Sequence, residues 1–140
     1  MKKLIALLVS IFVGNAQGAN YPNMEGIWAG TVRTVASGEQ VREQVARGGA
    51  LIQKLNLKLT VTYQDQEVFI GESTSDAVDT EPVSVWGAIR STGKEGVFVT
   101  ANGGRGNIWF TNPNQVEFCF ANQTPEQMSA YCAVLMKQLE

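Results

Sequence analysis

The chain has 140 residues, is 44% hydrophobic and 17% charged, and sets 11 basic residues against 13 acidic ones with no histidine. That length and balance fit one globular domain. The missing histidine excludes Ser-His-Asp, Cys-His and His-ligated metal mechanisms, and the thin, balanced charge excludes the basic surface that nucleic acid requires.

Residues 1–18 form an address rather than part of a fold. Met1-Lys2-Lys3 is a positive start, Leu4 to Val13 an apolar run broken by Ser10, and Ala16-Gln17-Gly18 supplies the small residues a signal peptidase reads. The run is about ten residues long, half the ~20 that a spanning helix needs, so no stable membrane anchor remains after cleavage. Cleavage after Gly18 leaves residues 19–140 as the mature domain; cleavage after Ala16 is the alternative. No cysteine follows the run, which argues against a lipid anchor. Loss of Lys2 and Lys3 makes the mature chain more acidic, which suits solubility over adhesion to anionic membranes. The short, lysine-led signal looks bacterial and implies a periplasmic or secreted protein.

The mature chain then predicts eight strands. The first runs from Gly26 to Val35. Between residues 37 and 50, Val41 and Val45 lie four apart, Glu43 is placed to pair with Arg47, and Gly48-Gly49 ends the pattern, so a short helix is expected in the first connection. It is either a solvated excursion or a lid over one mouth of the domain. From Leu55, the residues Leu57, Leu59, Val61 and Tyr63 share one face, with Asn56, Lys58, Thr60, Thr62 and Gln64 on the other. Gln64 to Glu67 turns this strand into Val68–Glu72 as a hairpin. Asp76, Asp79 and Glu81 gather in the next loop but lack the ordered ligands and turn glycine of a calcium hand, so they read as a solvated loop.

Further strands follow at Val83–Arg90, Val97–Ala101, Asn107–Thr111, Gln115–Ala121 and Ala130–Leu139, separated by turns at 91–96, 102–106 and 112–114. Asn122-Gln123-Thr124 fits a glycosylation sequon, idle in a bacterial setting. In an exported protein the two cysteines, Cys119 and Cys132, form a disulfide. Closing that loop is worth ~3 kcal/mol in the chain-entropy model. If Phe118 and Phe120 point inward, so do Tyr131, Ala133 and Leu135, which leaves Val134 and Met136 outside with the cysteines. Several strands are apolar on both faces, among them those around Val68-Phe69-Ile70, Val83-Val85-Trp86 and Ile108-Trp109-Phe110. Part of the outer surface is therefore expected to be covered by the helix, a second copy or another protein.

No long helical period separates the strands, so the fold class is all-β, an eight-stranded antiparallel up-and-down barrel. A β-sandwich is the alternative, because strand count alone does not separate the two.

At the start of the first strand stand Gly26-Ile27-Trp28, followed by Gly30. This resembles the G-x-W motif that opens the first strand of lipocalins and related calycins. The resemblance implies that Trp28 plugs the closed end of a barrel and that a basic residue near the end of the last strand, Lys137 by position, lies across its ring. It covers these positions and the strand count; no second or third lipocalin motif and no long C-terminal helix accompany them. Length and meander are also similar to those of avidins, but Trp28-Ala29-Gly30 departs from their W-x-N pattern, and biotin binding is not implied.

The search for chemistry assigns no catalytic residue, metal or cofactor: no G-x-S-x-G elbow, P-loop or H-E-x-x-H is present. Glu67 and Glu72 flank one strand on opposite faces. Trp28, Trp86, Trp109, Phe98, Phe110, Phe118 and Tyr131 either line a ligand cavity or fill the barrel solid. The expected function is binding of a small hydrophobic ligand, with Trp86, Phe118 and Tyr131 as lining residues. The alternative is a partner-binding module or inhibitor of an envelope enzyme, working through loops, or a homodimer. Intact mass of the protein recovered from its own host is expected to start at Ala19 or Gln17; a mature fraction that retains Met1 would remove the signal-peptide reading.

Overall fold

Alternation of inward and outward side chains, the inward set mostly apolar, carries through eight strands that close into a ring. The computed structural model describes residues 20–38, 50–77, 81–125 and 127–139. The strands are β1 (Gly26–Gly38), β2 (Ala50–Asp65), β3 (Val68–Ser75), β4 (Val83–Ile89), β5 (Glu95–Thr100), β6 (Arg105–Asn112), β7 (Gln115–Gln123) and β8 (Gln127–Lys137). Each pairs antiparallel with the next, and β8 pairs back onto β1 through Trp28↔Lys137 and Val35↔Ala130. The sheet is thus a closed barrel rather than a sandwich, and closure leaves no unpaired edge.

Three sequence expectations change. The helix expected over residues 37–50 loses its ends to strands, since Ser37 pairs with Ala50 across β1 and β2. The rest of that expectation, residues 39–49, lies outside the described residues, and among those described there is no helix. Tyr63, expected on the inner face with Leu55 to Val61, is 52% exposed. A bulge explains it: Val61 pairs with Gly71 but Tyr63 with Ile70, and the extra residue reverses parity. Finally, the glycine-rich turn is shorter than expected, because β6 begins at Arg105 and takes Gly106 into its ladder.

Closure demands room on the concave side, and the sequence supplies it by alternating rings with glycines. Register links Tyr131 to Phe120, Phe120 to Gly106, Gly106 to Phe98, Phe98 to Gly87 and Gly87 to Phe69, one diagonal row across six strands. The rings press on the glycines: a Cβ at Gly87 would meet the Phe69 ring, and one at Gly106 the Cys119 carbonyl and the Phe98 ring. Large beside small fills a tapering interior without overpacking, and a ring covers the backbone that glycine leaves bare. Outside, Cys119 and Cys132 face each other across β7 and β8 and are disulfide-bonded. Val134 and Met136 are exposed on the same outer side.

Gly87→Ala is expected to cost about 1–3 kcal/mol by overpacking, read from urea denaturation. Phe69→Leu should recover part of that loss when the two are combined, because the clash is with this one ring.

Candidate functional site: a lumen closed at one end

The lower end of the barrel is sealed by a plug built around β1. Trp28 and Met24 are fully buried, and the indole Nε1 donates to the Met24 carbonyl at 2.7 Å. Lys137, arriving on β8, sets its Nζ 5.3 Å from the Trp28 ring centroid and donates to the Asn23 carbonyl at 2.9 Å. A cation over an indole face adds to the packing, and the hydrogen bond satisfies the ammonium at the same time. Gly26 has a φ of 114°, which a side chain would resist, so it serves as the bend from which the strand starts. Gln64, turned under the barrel by the bulge, accepts from Met24 N and donates to the Pro22 carbonyl. Residues 20–25 are thereby stitched across the floor.

Above the plug the interior is hollow. A cavity of about 1060 Å³ opens at the other end. That is at the upper limit of the ~300–1,000 Å³ typical of small-molecule sites. One wall is aromatic, with Phe98, Phe118, Phe120 and Tyr131 in edge and stacked contacts at centroid separations of 5.1–6.0 Å. The facing wall is aliphatic, from Val32, Leu55, Leu57 and Leu59. Hydroxyls interrupt it at Thr34, Ser73 and Thr100. The charged residues that touch the cavity, Lys54, Asp76 and Glu81, are exposed. Burial removes water from the Tyr131 phenol and pushes its pKa up from 10.0 to about 12.

Phe118 and Tyr131 line the cavity, as does Phe98. Trp86 does not: it is 44% exposed on the outer face, between Ile70 and Val99. The reason is parity, since its neighbour Val85 is buried in the interior. Trp109 also points outward. Thr34 and Phe120 belong to the lining and were not singled out as ligand contacts. The inward parity of Phe120 was readable; a buried threonine carries no such signal.

In the acidic loop, Asp76 accepts from the Asn56 backbone N and Nδ2, both at 2.7 Å, and Asp79 lies outside the described residues. Among the described residues no group of three or more His, Cys, Asp and Glu side chains is arranged to hold a metal ion. The sequon residue Asn122 sits in β7 at the cavity with its Oδ1 buried and without a hydrogen-bond partner.

No protein-family model matches the chain, and no curated protein matches it. Solved structures do. EF1p2_mFAP2b bound to DFHBI superposes with a TM-score of 0.51 at 10% identity, covering 81% of this chain and 93% of that one. The S-type phycobiliprotein lyase CPES from Guillardia theta gives a TM-score of 0.47 at 14% identity, covering 84% and 89%. At such identities the first likeness shows a shared barrel fold and nothing further.

The raised Tyr131 pKa has a consequence for stability. Above pH 10 the unfolded phenol ionises while the folded one holds its proton, so folding loses stability through the pH 10–12 window and is untouched below it. The expected slope is at most about 1.4 kcal/mol per pH unit, and it should vanish in Tyr131→Phe when urea midpoints are compared at pH 9 and pH 11.5.

Proposed function

We propose that the chain is an exported, calycin-like, non-enzymatic binding protein that holds a small hydrophobic ligand in its lumen. The observation that carries this reading is the cavity itself: about 1060 Å³, walled by rings and aliphatic chains, open at one end and plugged at the other. A solidly packed barrel would leave no such volume. Apolar walls with a few convergent polar groups are the usual composition of small-molecule sites. The similar barrel solved with DFHBI shows that this architecture is compatible with a bound small molecule. A disulfide on the outer face agrees with an oxidising compartment, which supports export. The lysine over Trp28 is the contact expected from the calycin resemblance, and it supports that family reading.

A second reading rests on a different surface. Tyr63, Ile70, Trp86 and Val99 form one cross-strand row over β2 to β5, all outward and 41–52% exposed. Such a row suits a protein partner, an envelope enzyme or a second copy, more than it suits water.

Native mass spectrometry of protein purified from its own host is expected to show a retained small molecule. Ser73→Trp, which fills the lumen from β3, should abolish that adduct and N-phenyl-1-naphthylamine fluorescence while leaving Tm within a few degrees. A bare mass together with no dye binding by the wild-type protein would overturn the lumen reading. Loss of a partner on Trp86→Ser with the adduct retained would move the function to the outer face.

A further inference from the structure

Inward positions of the barrel are apolar almost throughout its lower half, yet one fully inward position high on β1 is a threonine. Thr34 is 6% exposed, lines the cavity and is the one buried polar side chain of the described core. Register gives it company. Thr34 pairs with Gln53 on β2, and the β1–β8 register, Val35↔Ala130, sets it beside Tyr131. Gln53 and Tyr131 line the cavity too. None of the hydrogen bonds among the described residues engages the Thr34 or Tyr131 hydroxyl. The Tyr131 ring is held between Phe118 and Phe120, at 5.8 and 5.1 Å, so its hydroxyl is fixed by packing rather than by a polar partner.

Both hydroxyls open onto the lumen, and a purely apolar ligand that filled it would bury them without partners, a free-energy cost that an acceptor on the ligand avoids. Two donors on neighbouring strands, both opening onto a lumen with an aromatic wall, are complementary to an acceptor oxygen on a flat body. Among the described residues, the one cation that lines the cavity, Lys54, is exposed, so a carboxylate or sulfonate would meet no buried counter-charge from them.

Resting on the lumen reading above, we infer that the ligand class is a neutral, planar molecule with a carbonyl oxygen, an aromatic ketone or lactam for example, whose oxygen accepts from Thr34 and Tyr131. Its rings lie on Phe98, Phe118 and Phe120. The phenol keeps its proton throughout the physiological range, since burial holds its pKa at about 12, and so remains a donor.

The test uses two neutral naphthalenes, Prodan, which carries a ketone and emits further to the red when that ketone accepts a hydrogen bond, and N-phenyl-1-naphthylamine, which has no carbonyl. Both are expected to bind. Thr34→Val and Tyr131→Phe keep shape and remove one hydroxyl each; either should weaken Prodan roughly 3- to 10-fold and shift its bound emission to the blue. The amine should bind both variants as it binds the wild type, which also shows that they fold. Unchanged Prodan affinity and emission in both variants, with the amine still bound, would overturn the carbonyl inference and leave the lumen reading standing. Failure of both dyes to bind the wild type would remove the lumen reading and this inference together.

Discussion

The barrel depends on rings lying on glycines. Eight strands close only if each can bend inward without its side chains colliding, and the row Phe120, Gly106, Phe98, Gly87, Phe69 alternates bulk and absence so that the walls interlock. Interiors of folded proteins tolerate neither extra methylenes nor voids without cost. The same rings, held against their glycines, leave the space opposite them unfilled. Closure and cavity are therefore two results of one packing solution.

The two ends of the lumen differ because the floor has its own polar scaffold. Trp28 is pinned by the Met24 carbonyl, covered by Lys137 and supported by a strap that Gln64 ties from below. Every polar atom in this plug that the structure describes as bonded points at a neighbour rather than at the cavity. The upper half is built on a different plan, with Thr34 and Tyr131 turned into the lumen beside aromatic carbon. A molecule entering from the mouth would meet polar groups first and the sealed apolar floor last.

The outer surface is not uniform either. On β1 and β2 it is mixed, with Thr31, Arg33, Lys54, Asn56 and Lys58 outward beside exposed Val35 and Ile52. On β3 to β5 it is apolar around Trp86, and across β7 and β8 the disulfide sits among Val134 and Met136. The lumen and this outer row share strands, and single-residue parity separates them: Val85 belongs to one and Trp86 to the other.

Period-two alternation determined, from the sequence by itself, the number of strands, the all-β class, the inward set Phe118, Phe120, Tyr131 and Leu135, and the alignment of Cys119 with Cys132, because those follow from local geometry alone. The resemblance of Gly26-Ile27-Trp28 to the calycin motif, not alternation, implied the pairing of Trp28 with Lys137. Tertiary structure decided the rest. Whether eight ribbons close or stack depends on contacts between strands far apart in the chain, above all β1 with β8. The bulge that moves Tyr63 outside and Gln64 beneath the floor depends on how β2 pairs with β3, which no single strand encodes. Trp86, expected as lining from its aromatic character, alternates with buried Val85 and so faces outward. Gly106, expected in a turn, belongs to β6 and lies against the Phe98 ring. A cavity is the space that packed side chains leave, so its size and the hydroxyls that face it are properties of the assembled walls and have no signature in any one of them.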